Sequence, residues 1–85
     1  MQTVELYTTN TCGFCHAAKR LLTAKGVSFA EVSLNAQPER RAEMMQRANG
    51  GRTVPQIFIG TTHVGGYDDL HVLEAAGKLD ALLAG

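Results

Sequence analysis

Apolar and polar positions alternate at the start of the chain. Val4-Glu5-Leu6-Tyr7-Thr8 is rich in β-branched and aromatic types and predicts a strand. After the polar loop Thr9-Asn10-Thr11 the period lengthens. From Phe14 to Lys25, Ala17, Ala18, Leu21, Leu22 and Ala24 recur at helical spacing, with Lys19, Arg20 and Lys25 left outside the stripe. Gly26 is a stop signal for that helix. Val27 to Leu34 alternates again through Phe29, Val32 and Leu34 and predicts a second strand. Asn35-Ala36-Gln37-Pro38 reads as a turn, followed by a helix from Glu39 to Ala48 with Met44, Met45 and Ala48 facing inward, ended by Asn49-Gly50-Gly51. Val54 to Ile59 is a strand entered through Pro55, Gly60-Thr61-Thr62 a turn, and His63-Val64 a short return strand. Beyond Gly65-Gly66, Asp68 or Asp69 caps a helix to about Ala76, and Leu79 to Leu83 adds a last turn or two. The order is β-α-β-α-β-β-α. Strands separated by helices pair in parallel through right-handed crossovers, and the last two strands form a hairpin. The expected architecture is α/β, a mixed four-stranded sheet with helices on both faces.

Composition narrows the function classes. A length of 85 residues accommodates one domain, taken here as residues 1–85. Eight Lys and Arg balance eight Asp and Glu. Neutrality argues against a nucleic-acid module or a polybasic membrane surface, because both rely on excess cations. No apolar run approaches the ~20 residues of a membrane span. Met1-Gln2-Thr3-Val4-Glu5 shows no basic region followed by an apolar block, so no secretory leader is expected and a cytoplasmic location is.

The two cysteines, Cys12 and Cys15, carry the candidate chemistry. A structural disulfide over so short a loop would gain only about 2 kcal/mol. Zinc needs four ligands, and His16, His63 and His71 form no pair at ligand spacing. Cys12-Gly13-Phe14-Cys15-His16 also matches the haem-attachment signature, with Met44 or Met45 as a conceivable axial ligand, but small cytochromes of that type are all-helical and the strands count against it. A dithiol redox pair fits best. Cys12 falls where the first strand gives way to the first helix. There, unsatisfied N–H groups and about half a positive charge stabilise a thiolate. Cys15 lies one turn on and can reach back, so Cys12 reads as nucleophile and Cys15 as resolving thiol. Gly13 tolerates the tight turn between them.

Three segments together resemble the glutaredoxin family of the thioredoxin fold: Cys12-Gly13-Phe14-Cys15, Thr53-Val54-Pro55, and Gly65-Gly66-Tyr67-Asp68-Asp69-Leu70. The resemblance covers essentially the whole chain. It implies glutathione-dependent reduction of protein disulfides and of protein–glutathione mixed disulfides, with glutathione as co-substrate and disulfide-bearing or glutathionylated proteins as clients. It also implies a cis Pro55 opposite the cysteines, leaving the Val54 backbone to pair with glutathione as an added strand. Thr53 shares that loop. Tyr67 and Asp68 match the positions that hold the γ-glutamyl end, Asp69 being a helix cap in the alternative. Phe14 would form an aromatic wall, and Arg41 would meet the glycyl carboxylate.

Two departures stand out. Most members carry Lys where Thr9 stands, and Lys19 and Arg20 lie further along the helix. The Gly13-Phe14 pair resembles the Cys-Gly-Phe-Ser members, which bind a [2Fe–2S] cluster between two protomers. That gives an alternative reading: a dimeric cluster scaffold or carrier with Cys12 as ligand. Cys15 is present and the Trp-Pro insertion typical of that group is missing, so a monomer without bound metal is expected. A thioredoxin-like reductase served directly by a flavoprotein is the third reading.

Overall fold

The computed structural model describes residues 1–85. The strands are β1 (Val4–Thr8), β2 (Ala30–Ser33), β3 (Gln56–Ile59) and β4 (Thr62–Gly65). The helices are α1 (Gly13–Ala24), α2 (Arg41–Arg47), α3 (Tyr67–Ala75) and α4 (Leu79–Ala84), with a 3₁₀ turn over Pro38–Arg40 leading into α2. The sheet order is β2-β1-β3-β4. β1 and β2 are parallel, joined by the α1 crossover, and β3 is antiparallel to both β1 and β4.

Period-two alternation sorts the strand side chains onto two faces. Val4, Leu6, Ile57 and Ile59 pack with Ala18 and Leu22 of α1, Leu70 of α3, and Leu79 and Leu83 of α4. Tyr7, Val32 and Phe58 pack with Met44 of α2 and the adjoining Ala48. Helices therefore cover both faces, and the expected thioredoxin-like arrangement is the one observed. Of the central strands, β3 is buried at all four positions and β1 at every position but Glu5.

The boundaries differ from the sequence reading where backbone groups have other partners. β2 begins at Ala30, not Val27. The Val27 N–H is taken by the Leu22 carbonyl at 3.0 Å, closing α1 past Gly26 at φ +73°, so it cannot enter a sheet ladder. β3 starts after Pro55, which follows a cis Val54–Pro55 bond, because proline has no N–H to give to the ladder. Met45 is only half-buried, whereas Met44 and Ala48 are in the core. The N-cap of α3 is Gly66, and neither Asp68 nor Asp69 occupies that position.

One irregularity shapes the site. Along the β3–β4 ladder the register steps from Phe58↔His63 to Ile57↔Gly65, so β4 carries an extra residue. Gly65 has φ +113°, and a Cβ there would run into the Asp69 carboxylate. The bulge turns the chain off the sheet edge and brings the start of α3 toward the loop before β3.

Candidate redox site

Cys12 is the N-cap of α1, with extended backbone at φ −84° and ψ 109°. Its Sγ accepts the Cys15 N–H at 3.1 Å, one of the amides that a helix start leaves without an intrahelical partner. Cys12 is half-buried, while Cys15 is completely buried. The two cysteines are 2.7 Å apart. Burial, and then the hydrogen bond with Cys12, push the Cys15 thiol up to about 12. The pair is thus asymmetric: one thiol that solvent and substrate can reach, and one that stays protonated behind it.

The loop before β3 forms the facing wall. Cys12 Sγ–H donates to the Val54 carbonyl at 3.5 Å, so the residue before the cis-proline lies directly against the exposed thiol. The third wall is the start of α3. Asp69 Oδ2 accepts the Gly66 N–H at 3.1 Å, so Asp69 caps the helix from its third residue. Tyr67, on the first turn, stacks on Phe14 with ring centroids 6.2 Å apart and planes 21° from parallel, and His71 lies 5.9 Å further on. Phe14 is 62% exposed, so it serves as a wall and not as core.

These walls enclose an open cleft of about 450 Å³. Phe14, Thr53, Val54, Pro55, Tyr67 and Asp68, all singled out from the sequence, line it together. Arg41 does not. Its Nη1 donates to the Arg52 carbonyl at 3.0 Å, which places it outside the lining and beside the loop that carries Thr53. Sequence reasoning missed Gln56 and His63, which also line the cleft. The available signal was a polar residue opening the otherwise apolar run Ile57-Phe58-Ile59.

Charges around the thiols are largely committed. Lys19 pairs with Glu31 at 2.9 Å, and Thr8 Oγ1 donates to the same carboxylate at 2.5 Å. The Thr8 hydroxyl first, and then Lys19, hold Glu31 below the usual carboxylate range. Lys19 therefore does not stand in for a lysine at position 9. His16 Nε2–H donates to the Asn10 carbonyl at 3.2 Å, bracing the β1–α1 loop.

Comparison with known proteins agrees with this arrangement. The glutaredoxin family model matches residues 4–64. A glutaredoxin of Pseudomonas aeruginosa is 58% identical over 84 residues, covering 99% of both chains. The solution structure of a Brucella melitensis glutaredoxin is 54% identical, with a TM-score of 0.83 over 98% of this chain and 89% of that one. The crystal structure of a buckwheat glutaredoxin–glutathione complex is 29% identical, with a TM-score of 0.88 over 98% of this chain and 77% of that one. Relatedness along nearly the full length, joined to a reachable N-cap thiol, its buried partner and the cis-proline wall, makes this chain a member of the glutaredoxin family, and hence a thiol–disulfide oxidoreductase.

Proposed function

We propose that the protein is a glutathione-dependent oxidoreductase acting on protein–glutathione mixed disulfides and on protein disulfides. The observation that carries this reading is the half-buried Cys12 thiol against the carbonyl of Val54, a residue that lines a peptide-sized cleft. The relative crystallised with glutathione supports it.

With a glutathionylated client, the Cys12 thiolate attacks the glutathionyl sulfur. The client–glutathione S–S bond breaks, the client sulfur leaves with the electron pair and takes a proton, and Cys12 holds glutathione as a mixed disulfide. A second glutathione thiolate attacks the bound glutathionyl sulfur, releasing glutathione disulfide and restoring Cys12. With a client disulfide, Cys12 forms a mixed disulfide with one client sulfur and frees the other as a thiol. Cys15 gives up its proton and attacks Cys12 Sγ. The client leaves reduced, and the Cys12–Cys15 disulfide is reopened by two glutathiones.

On this reading each wall of the cleft has a role. The Val54 backbone pairs with the glutathione peptide like an added strand. Tyr67 and Asp68 take the γ-glutamyl end, and Phe14 packs on the peptide body. Thr53 and Arg41 take the glycyl end from the loop side. Two free thiols used in exchange suit a reducing, cytosolic setting.

Turnover of a glutathionylated peptide coupled to glutathione reductase tests the reading. Cys12→Ser is expected to abolish activity. Cys15→Ser is expected to keep deglutathionylation and lose most protein-disulfide reduction. Parent-rate turnover by Cys12→Ser, or equal turnover with thioredoxin reductase in place of glutathione, would overturn the reading.

A further inference from the structure

The segment that faces Cys12 has little backbone support. Residues 52–55 make no backbone–backbone hydrogen bond. Side chains hold them instead: Arg41 on the Arg52 carbonyl, Gln56 on Thr53, and the Cys12 thiol on the Val54 carbonyl. Of these three, the bond to Thr53 leads furthest from the reacting sulfur.

Gln56 is 5% exposed, and its Nε2 donates to the Thr53 carbonyl at 3.0 Å and approaches Thr53 Oγ1 at 3.4 Å. A backbone carbonyl only accepts, so the nitrogen end of this amide must face Thr53 and Oε1 must face away. His63 Nε2 lies 2.7 Å from Gln56 Oε1. That oxygen also only accepts, so His63 Nε2 carries a proton and donates. The chain of bonds therefore has one direction, from His63 through Gln56 to Thr53. The histidine ring is itself held, stacked on buried Phe58 at 4.9 Å with the planes 25° apart. Phe58 in turn carries the Arg47 guanidinium 4.2 Å from its centroid. The extra residue in β4 sits immediately after His63, between the Phe58↔His63 and Ile57↔Gly65 pairs, so one irregularity serves both ends of the cleft.

We propose that His63 is a positioning residue: through Gln56 it holds the Thr53 carbonyl and so sets Thr53-Val54-Pro55 at the distance from Cys12 that a strand-like peptide requires. The consequence for glutathione rests on the reading given under Proposed function. The consequence for the loop does not.

The test separates the hydrogen bond from the packing. His63→Phe keeps a ring on Phe58 and removes the donor. Gln56→Glu still accepts from His63 but cannot donate to Thr53. His63→Gln restores an N–H donor. In the ligand-free protein, ¹⁵N-resolved spectra of His63→Phe and Gln56→Glu are expected to show shifts at Thr53 and Val54 that His63→Gln largely reverses. In the glutathione-coupled assay, KM for a glutathionylated peptide is expected to rise about two- to tenfold in the first two variants, the ratio for one lost neutral hydrogen bond, with kcat within about twofold. Unmoved Thr53 and Val54 signals would overturn the proposal, and so would a His63→Gln variant as impaired as His63→Phe. Moved signals with unchanged KM would uphold the positioning role and overturn the glutathione reading of the cleft.

Discussion

Cys15 should be nearly inert toward alkylating agents at neutral pH, and the magnitude follows from its surroundings. Its thiol is pushed up to about 12, first by burial and then by the hydrogen bond with Cys12. At pH 7 a thiol at that value is about 10⁻⁵ ionised, against about 3% for a free cysteine near 8.5. The thiolate population is thus about 3,000-fold smaller. The more basic thiolate is intrinsically more nucleophilic by a Brønsted slope of about 0.45, which returns about 40-fold. The net expectation is alkylation about a hundredfold slower than a free cysteine, before exclusion of reagent from a fully buried sulfur is counted. The assay is iodoacetamide labelling at pH 7 followed by peptide mass analysis, on the parent and on Cys12→Ser. Parent protein should carry one label, at Cys12. Cys12→Ser should label Cys15 at the slow rate, because burial survives that substitution. Raising the pH by one unit should accelerate Cys15 labelling about tenfold, since the thiolate fraction rises tenfold per unit below the titration point. Labelling of Cys15 as fast as a free cysteine peptide would refute the reasoning and remove the basis for assigning Cys12 as the attacking thiol.

Four further outcomes are expected. Gly65→Ala forces a Cβ into the Asp69 carboxylate at φ +113°, costing about 1–3 kcal/mol and lowering Tm by about 4–8 °C for each kcal/mol; an unchanged Tm would contradict the tight bulge. Thr8→Val removes the hydrogen bond that does most to lower the Glu31 titration. Its folded-state titration is depressed, so this stabilisation is present above the unfolded carboxylate range and is lost as pH falls through the folded value. Unfolding free energies from urea titration should therefore differ by about 1 kcal/mol at pH 7, a figure discounted for the partly exposed carboxylate, and converge once the pH is below the folded value. Thr9→Lys should lower KM for glutathionylated peptide about two- to fivefold at low salt and less at high salt; salt-independent kinetics identical to the parent would exclude a contribution from charge at that position. Anaerobic incubation with iron, sulfide and glutathione should leave a colourless monomer, and visible absorbance with doubled hydrodynamic mass would instead establish the cluster-bridged dimer.

The parts of the molecule that sequence resolved are those encoded by local period. Alternation in β1 places Val4 and Leu6 against α1 and Tyr7 against α2, and the structure keeps that division. The strand-to-helix change at Cys12 likewise predicts an N-cap thiol with a buried partner three residues on. Polar partnerships were not legible, because they depend on register and on which backbone groups are already spent. Val27 looks like a strand residue until its N–H is used to close α1. His63 reads as an ordinary return-strand residue, yet its place opposite Phe58 brings it to Gln56. The same holds for charge. A neutral composition says nothing of which cations are free. In the folded chain Lys19, Lys25, Arg40 and Arg47 are spent on carboxylates. The cleft lining contains Asp68 and Asp69 but no Lys or Arg, and Arg41 and Arg52 stand beside the Thr53 loop. An anionic peptide entering this cleft would therefore meet cationic side chains at one rim only, and the rest of its binding would come from backbone groups and from the walls that Phe14, Tyr67 and Asp68 form. That distribution makes the geometry of residues 52–55 the variable on which affinity turns, more than the net charge of the chain.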